Sequence, residues 1–159
     1  MKSTSLRFIF LLFISSNALA VNDDSILSDD PPNRLSEFNF FSDPMNHLPN
    51  KNVVPYDLIT PLFTDYADKH RFVYVPNGMT AEFNGDEVFE FPIGAALIKT
   101  FSYQKDDGDE LLLETRLLLH KADGWDALTY VWNTDQDDAD LALGGKTIDV
   151  TNVITPSNS

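Results

Sequence analysis

The chain contains no cysteine. Disulfides, thiolate metal sites, thiol catalysis and covalent c-type haem attachment are therefore excluded within these residues. Positive charge is scarce as well: 11 Lys and Arg face 25 Asp and Glu, for a formal net charge of −14. Such a chain repels phosphate and anionic lipid, which argues against nucleic acid and favours divalent cations or basic partner faces. There is no Gly-x-Ser-x-Gly motif to support nucleophilic hydrolysis, and no internal repeat to support a solenoid or propeller. Long apolar runs are missing too. The run Phe8 to Ile14 falls far short of the roughly 20 residues that span a bilayer.

That short run is informative in its setting. Lys2 and Arg7 precede or open it and Ala18-Leu19-Ala20 closes it as a small-x-small site, so residues 1–20 read as a secretory signal peptide cleaved after Ala20. Cleavage leaves nine basic against 25 acidic residues, a formal charge of −16, on a chain with no membrane span. The expected location is the periplasm or the medium. Residues 21–33 (VNDDSILSDDPPN) are acidic and end in two prolines, which predicts a flexible leader. Residues 34–150 are expected to form one domain, and 151–159 a disordered tail.

In Arg34 to Phe41 the apolar residues Leu35, Phe38 and Phe41 recur every three positions, predicting about two helical turns. Thr60-Pro61 predicts a second short helix, through Ala67, with the hydroxyl as its cap and proline at its first position. From His70 onward the period is two. Arg71 to Val75, Met79 to Phe83, Glu87 to Phe91 and Leu97 to Tyr103 read as short strands separated by turn residues such as Asn84-Gly85. In Glu110 to His120 the odd positions, among them Leu113, Thr115, Leu117 and Leu119, make the buried face, and the even ones make a mixed face that includes Leu112, Glu114, Arg116 and Leu118. Trp125 to Trp132, Asp140 to Leu143 and Lys146 to Val150 complete the pattern. Many short strands with little helix between them predict an all-β fold, an antiparallel β-sandwich or jelly roll with one or two short N-terminal helices.

Three constellations offer chemistry. Asn133, Asp135, Asp137, Asp138 and Asp140 present alternating oxygen side chains, as a calcium loop does, although position 6 of the loop is Asp138 rather than glycine and no glutamate stands at position 12. The competing reading is a solvated turn. Glu114 and Arg116 share a strand face and could receive a polar ligand, with Tyr130 or Trp132 as a flat platform; the alternative is an ion pair beside a core tryptophan. His47, His70 and His120 read as surface or edge residues, and only His120 has polar company on its strand, from Glu114 and Arg116. Asp106, Asp107, Asp109 and Glu110 read as an exposed hairpin tip.

Several blocks also carry a resemblance. Pro55-Tyr56-Asp57-Leu58, Thr60-Pro61-Leu62-Phe63, Asp65-Tyr66-Ala67, Arg71-Phe72-Val73-Tyr74 and Pro76-x-Gly78 are followed by Phe89-x-Phe91-Pro92-x-Gly94, Lys99-Thr100-Phe101 and Glu114-Thr115-Arg116-Leu117. Asp123-Gly124-Trp125 and Tyr130-Val131-Trp132-Asn133-x-Asp135-Gln136-x-Asp138-Ala139 complete the set. Together they resemble the N-terminal, non-haem β region of an exported bacterial family described as conserved hypothetical or di-haem c-type cytochrome, some members of which accompany a parallel β-helix repeat protein. The Cys-x-x-Cys-His haem segment of the longer relatives is absent here. The resemblance implies a non-catalytic module that holds no haem of its own and serves in docking or assembly. Its implied partner is a haem-bearing c-type cytochrome domain or an exported β-helix protein. The alternative is a secreted ligand-binding module, associated with carbohydrate or calcium, and calcium is the one cofactor the acidic loop allows.

Overall fold

The computed structural model describes residues 19–144, and the fold over them is all-β. A short helix α1 (Asp23–Leu27) and a 3-10 turn (Leu35–Phe38) precede a two-stranded ribbon, β1 (Phe41–Asp43) with β2 (Leu48–Pro49). Six further strands follow: β3 (Val53–Pro55), β4 (Asp68–Tyr74), β5 (Ala96–Gln104), β6 (Glu110–Lys121), β7 (Gly124–Trp132) and β8 (Ala139–Leu141). They pair in chain order, each antiparallel to the next, as a six-stranded meander. None of the described helices is long and apolar enough to cross a membrane. The expected signal segment, the expected strand Lys146 to Val150 and the expected tail lie essentially outside the described residues.

One face of the meander carries the core. Phe72, Tyr74, Ile98, Leu117, Leu119, Tyr130 and Trp132 are buried there against Val21, Ile26, Leu35, Phe38 and Phe40 from the N-terminal segment. Phe38 stacks on Phe40 at 5.2 Å and meets the Tyr130 ring edge-on at 5.8 Å. Several polar groups on this face bond one another. The Thr100 and Thr115 hydroxyls bond each other at 2.8 Å, and Trp132 Nε1 donates to Thr115 Oγ1 at 3.1 Å.

The acidic leader is therefore structure, which corrects the expectation of a flexible segment. Asn22 caps α1 through Ser25 N, and Ile26 is fully buried. Tyr74 Oη donates to Asp23, Tyr130 Oη to the Pro32 carbonyl and Lys121 Nζ to the Ser28 carbonyl. Three core-face side chains thus tie this segment down. Its few apolar residues, Val21 and Ile26, join Leu35, Phe38 and Phe40 in covering the sheet face.

Three other expectations fail for identifiable reasons. No helix follows Thr60-Pro61, because Asp65 and Tyr66 stand at φ 46° and 64° and close a tight turn in which Ala67 N bonds Thr64 O at 2.8 Å. Two successive left-handed residues cannot continue a right-handed helix. Met79 to Phe83 and Glu87 to Phe91 make only one isolated bridge, Glu82 with Glu90, since β4 and β5 are already paired on both sides and leave no edge beside them. Gly94, at φ 88° and with Pro76 Cγ 3.0 Å from where a Cβ would stand, closes this excursion.

The third concerns β6. Ser102 pairs with Leu112 but Phe101 pairs with Glu114, so Leu113 is an extra residue, a β-bulge. The bulge reverses the alternation. Leu112 is 2% exposed on the core face instead of lying on the mixed one, and Glu110 is turned toward the core face with it.

Candidate functional site

On the outer face of the meander, register brings like charges together. Arg71 on β4 is the direct partner of Lys99 on β5, and Lys99 is the direct partner of Arg116 on β6. Three cations thus stand in a row across adjacent strands, with Lys69 beside them, opposite Phe101. Paired positions of antiparallel strands are only about 5 Å apart at Cα, and like charges placed so are destabilising.

Carboxylates neutralise only part of this row. Arg116 Nε donates to Glu114 Oε1 at 2.7 Å, and Arg71 Nη1 lies 3.7 Å from Asp57, which is 94% exposed. The Lys99 ammonium makes no ion pair and no hydrogen bond among the described residues; it lies 4.6 Å over the Phe101 ring, which Arg116 also approaches at 4.9 Å. Burial first, and then the charges of Arg71, Lys69 and Arg116, pull the Lys99 ammonium below its ordinary range against the opposing effect of Glu114. Lys69 is pulled down likewise by burial and then by Arg71.

Loop 56–67 folds over this face. Tyr56 N bonds Arg71 O at 3.0 Å, Lys69 Nζ donates to the Leu62 carbonyl, and Tyr103 Oη donates to Asp65 O at 3.1 Å. A groove of about 600 Å³ is lined by Thr64, Asp65, Phe101, Tyr103, Glu114 and Arg116 among others. A second, of about 280 Å³, is lined by Tyr56, Leu97, Lys99, Leu118 and Ala127. Arg116 and Thr129 line both, so the two join at the cationic row. Their sizes suit a small ligand, with apolar walls on one side and unneutralised positive charge on the floor.

The residues expected to share a ligand are split by the sheet. Glu114 and Arg116 are on the outer face, whereas Tyr130 and Trp132 are buried on the core face with their polar atoms bonded to Pro32 O and Thr115. The Arg116–Glu114 ion pair is present and Trp132 is in the core, but the sheet lies between them, so the pair is not beside the tryptophan. Trp125 is the tryptophan on the surface, 44% exposed, with His120 stacked on it at 4.6 Å. His120 therefore keeps company with Trp125 and not with Glu114 or Arg116.

Nor does the acidic loop converge on an ion. Asn133 Nδ2 donates to Asp137 at 2.7 Å, and Asp137 N donates back to Asn133. Asp138 is buried, accepting from Ser36 N and Oγ at 3.1 and 2.7 Å and from Ala139 N at 2.8 Å. Asp140 pairs with Val131 in β8, and Asp135 makes no bond to the other four among the described residues. The loop uses its oxygens on its own amides and on the N-terminal 3-10 turn, as a turn does.

The cluster that the sequence hid is His47, His70 and Glu110. His70 Nε2 lies 2.6 Å from Glu110 Oε1 and His47 Nε2 2.8 Å from Oε2, while Ser102 Oγ also donates to Oε1. The imidazoles stack at 3.6 Å, tilted by 20°. Burial opposes the Glu110 charge, but the hydrogen bonds from His47, His70 and Ser102 outweigh it and hold the carboxyl far below its usual range. Glu110 is no exposed tip residue, because the bulge turns it inward. Ser102 is fully buried and donates to Glu110 rather than to a histidine, so the cluster is no hydrolase triad. These are also the residues that could hold a metal.

No protein-family model, curated protein or solved structure matches the chain. The cytochrome-family resemblance thus rests on the sequence blocks alone.

Proposed function

We propose that the chain is an exported, non-catalytic binding module whose outer sheet face takes an anionic group, a carboxylate or phosphate, carried on an apolar body. The observation that carries this is the in-register row Arg71, Lys99, Arg116 with the Lys99 ammonium unpaired. In a chain this acidic, gathering four of its few cations on one sheet face costs stability and repays it only when an anion arrives. The adjoining apolar groove gives the body of such a ligand a place beside its charge. Titration with octanoate, followed by backbone amide shifts, tests the reading. Octanoate is expected to move Lys99, Phe101 and Arg116 while octanol does not, and added salt weakens the effect. An equal response to octanol, or shifts confined to another part of the chain, removes it.

A second reading, docking or assembly, is favoured by the excursion 76–94. Met79, Phe83, Val88 and Phe89 are each more than half exposed there, and ring contacts run from Phe83 through Phe89 and Phe91 to Trp125. Monomers rarely leave such apolar surface uncovered. Its occupant in this reading is a haem-bearing c-type cytochrome domain or an exported β-helix protein. A photo-crosslinker at Val88 that captures a haem protein or a β-helix protein in the periplasm supports it; capture of nothing, or only of copies of the chain, counts against it. A carbohydrate site, expected around Trp125, Tyr130 and Trp132, keeps only Trp125 for stacking, because Tyr130 and Trp132 are buried.

A further inference from the structure

We infer that His47, His70 and Glu110 form a binding site for a borderline divalent transition metal ion, zinc in the first instance. Three separate segments contribute: His47 from the turn between β1 and β2, His70 from β4, and Glu110 from the start of β6. One nitrogen from each imidazole and a Glu110 oxygen all lie within 4.8 Å of one another. A tetrahedral zinc site places its ligand atoms about 3.3 Å apart, with metal bonds near 2.0 to 2.2 Å, so closing on an ion needs only side-chain movement.

The chemistry of the set selects the ion. An ionised carboxylate is acceptor only, so both Nε2 atoms now present protons to Glu110. Binding needs both Nε2 lone pairs free of their protons, and one imidazole swings out of the stack so that both point at the metal. His47 is placed to make that swing. It sits at φ 52° in a two-stranded ribbon, not in the meander. Two nitrogens and a carboxylate suit zinc or copper(II) and not calcium, which takes oxygen ligands. Three protein ligands leave a fourth position for water or a partner's side chain. The side chains are 15%, 32% and 19% exposed, enough for an ion to enter from solvent.

The bound ion cross-links the β1–β2 ribbon to β4 and β6, elements otherwise far apart in sequence. Metal binding is therefore expected to raise the melting temperature without changing the fold.

The test uses the purified chain, free of any histidine tag, titrated with zinc chloride by calorimetry and by histidine-resolved NMR. One zinc ion should bind, shift the ring signals of His47 and His70, leave those of His120 unmoved, and raise the melting temperature; calcium chloride should do none of these. His47→Ala should abolish both the heat and the thermal shift. His70→Gln, which can still donate to Glu110, should do the same and covers the case in which His47→Ala fails to fold. No saturable zinc binding by the wild-type chain, equal movement of all three histidines, or zinc binding retained in a folded variant, would overturn the site.

Discussion

The two faces of one sheet are built on opposite terms. On the core face every large side chain meets another, and the polar atoms of Thr100, Thr115, Tyr130 and Trp132 find partners within the protein. On the outer face three cations are aligned across neighbouring strands, and among the described residues only two carboxylates, Glu114 and Asp57, reach them. The strands are the same, so the backbone does not explain the difference. What it teaches is that the fold is determined by one face, which leaves the other free to hold charges that folding alone would not favour.

The sharpest break in the comparison is to open the core face. Phe38→Ala removes a fully buried ring that touches both Phe40 and Tyr130, and should cost about 3 to 5 kcal/mol in urea unfolding. Ile26→Ala should cost about 2 to 4 kcal/mol although it lies in the acidic leader. A flexible leader would make that second change silent. Asp138→Ala leaves two Ser36 donors without an acceptor and should cost about 2 kcal/mol, with the melting temperature of the wild-type chain unmoved by calcium.

The core face can also be read by alkaline titration. Burial, then the hydrogen bond and charge of Asp23, hold the Tyr74 phenol above its ordinary value; burial and then Glu37 do the same for Tyr130. A raised folded-state value means that unfolding releases protons at high pH. The stability these two groups contribute is therefore complete below about pH 10 and falls as the pH rises beyond it. Tyrosinate absorbance should show two of the five tyrosines ionising only as the chain unfolds.

Much of the fold was legible in the sequence, and the reason is visible in particular segments. The period of two from Leu97 to Tyr103 and from Trp125 to Trp132 marks strands that β5 and β7 do form, whereas Leu35 and Phe38 mark a single 3-10 turn where their spacing predicts two helical turns, with Phe41 already in β1. The β6 bulge was not legible. An extra residue at Leu113 changes no composition, yet it inverts the faces of Glu110 and Leu112 and so conceals the histidine and glutamate cluster. The cationic row was hidden for a related reason. Arg71, Lys99 and Arg116 are far apart in the chain, and only strand register makes them neighbours. The acidic loop misled because oxygen spacing says nothing about which amides the oxygens will accept from, and Asp138 is taken by Ser36.

If the outer-face row is held at a cost in stability for an incoming anion, as proposed, replacing Lys99 by Met should both stabilise the free chain and remove its response to the anion. Thermal unfolding of wild type and variant should be compared with and without octanoate. Relieving two like-charge neighbours should stabilise the free protein by about 1 kcal/mol, or roughly 4 °C, while the octanoate-dependent rise seen in the wild type disappears. A Lys99→Met protein that melts below the wild type and still gains the same increment from octanoate would contradict the account.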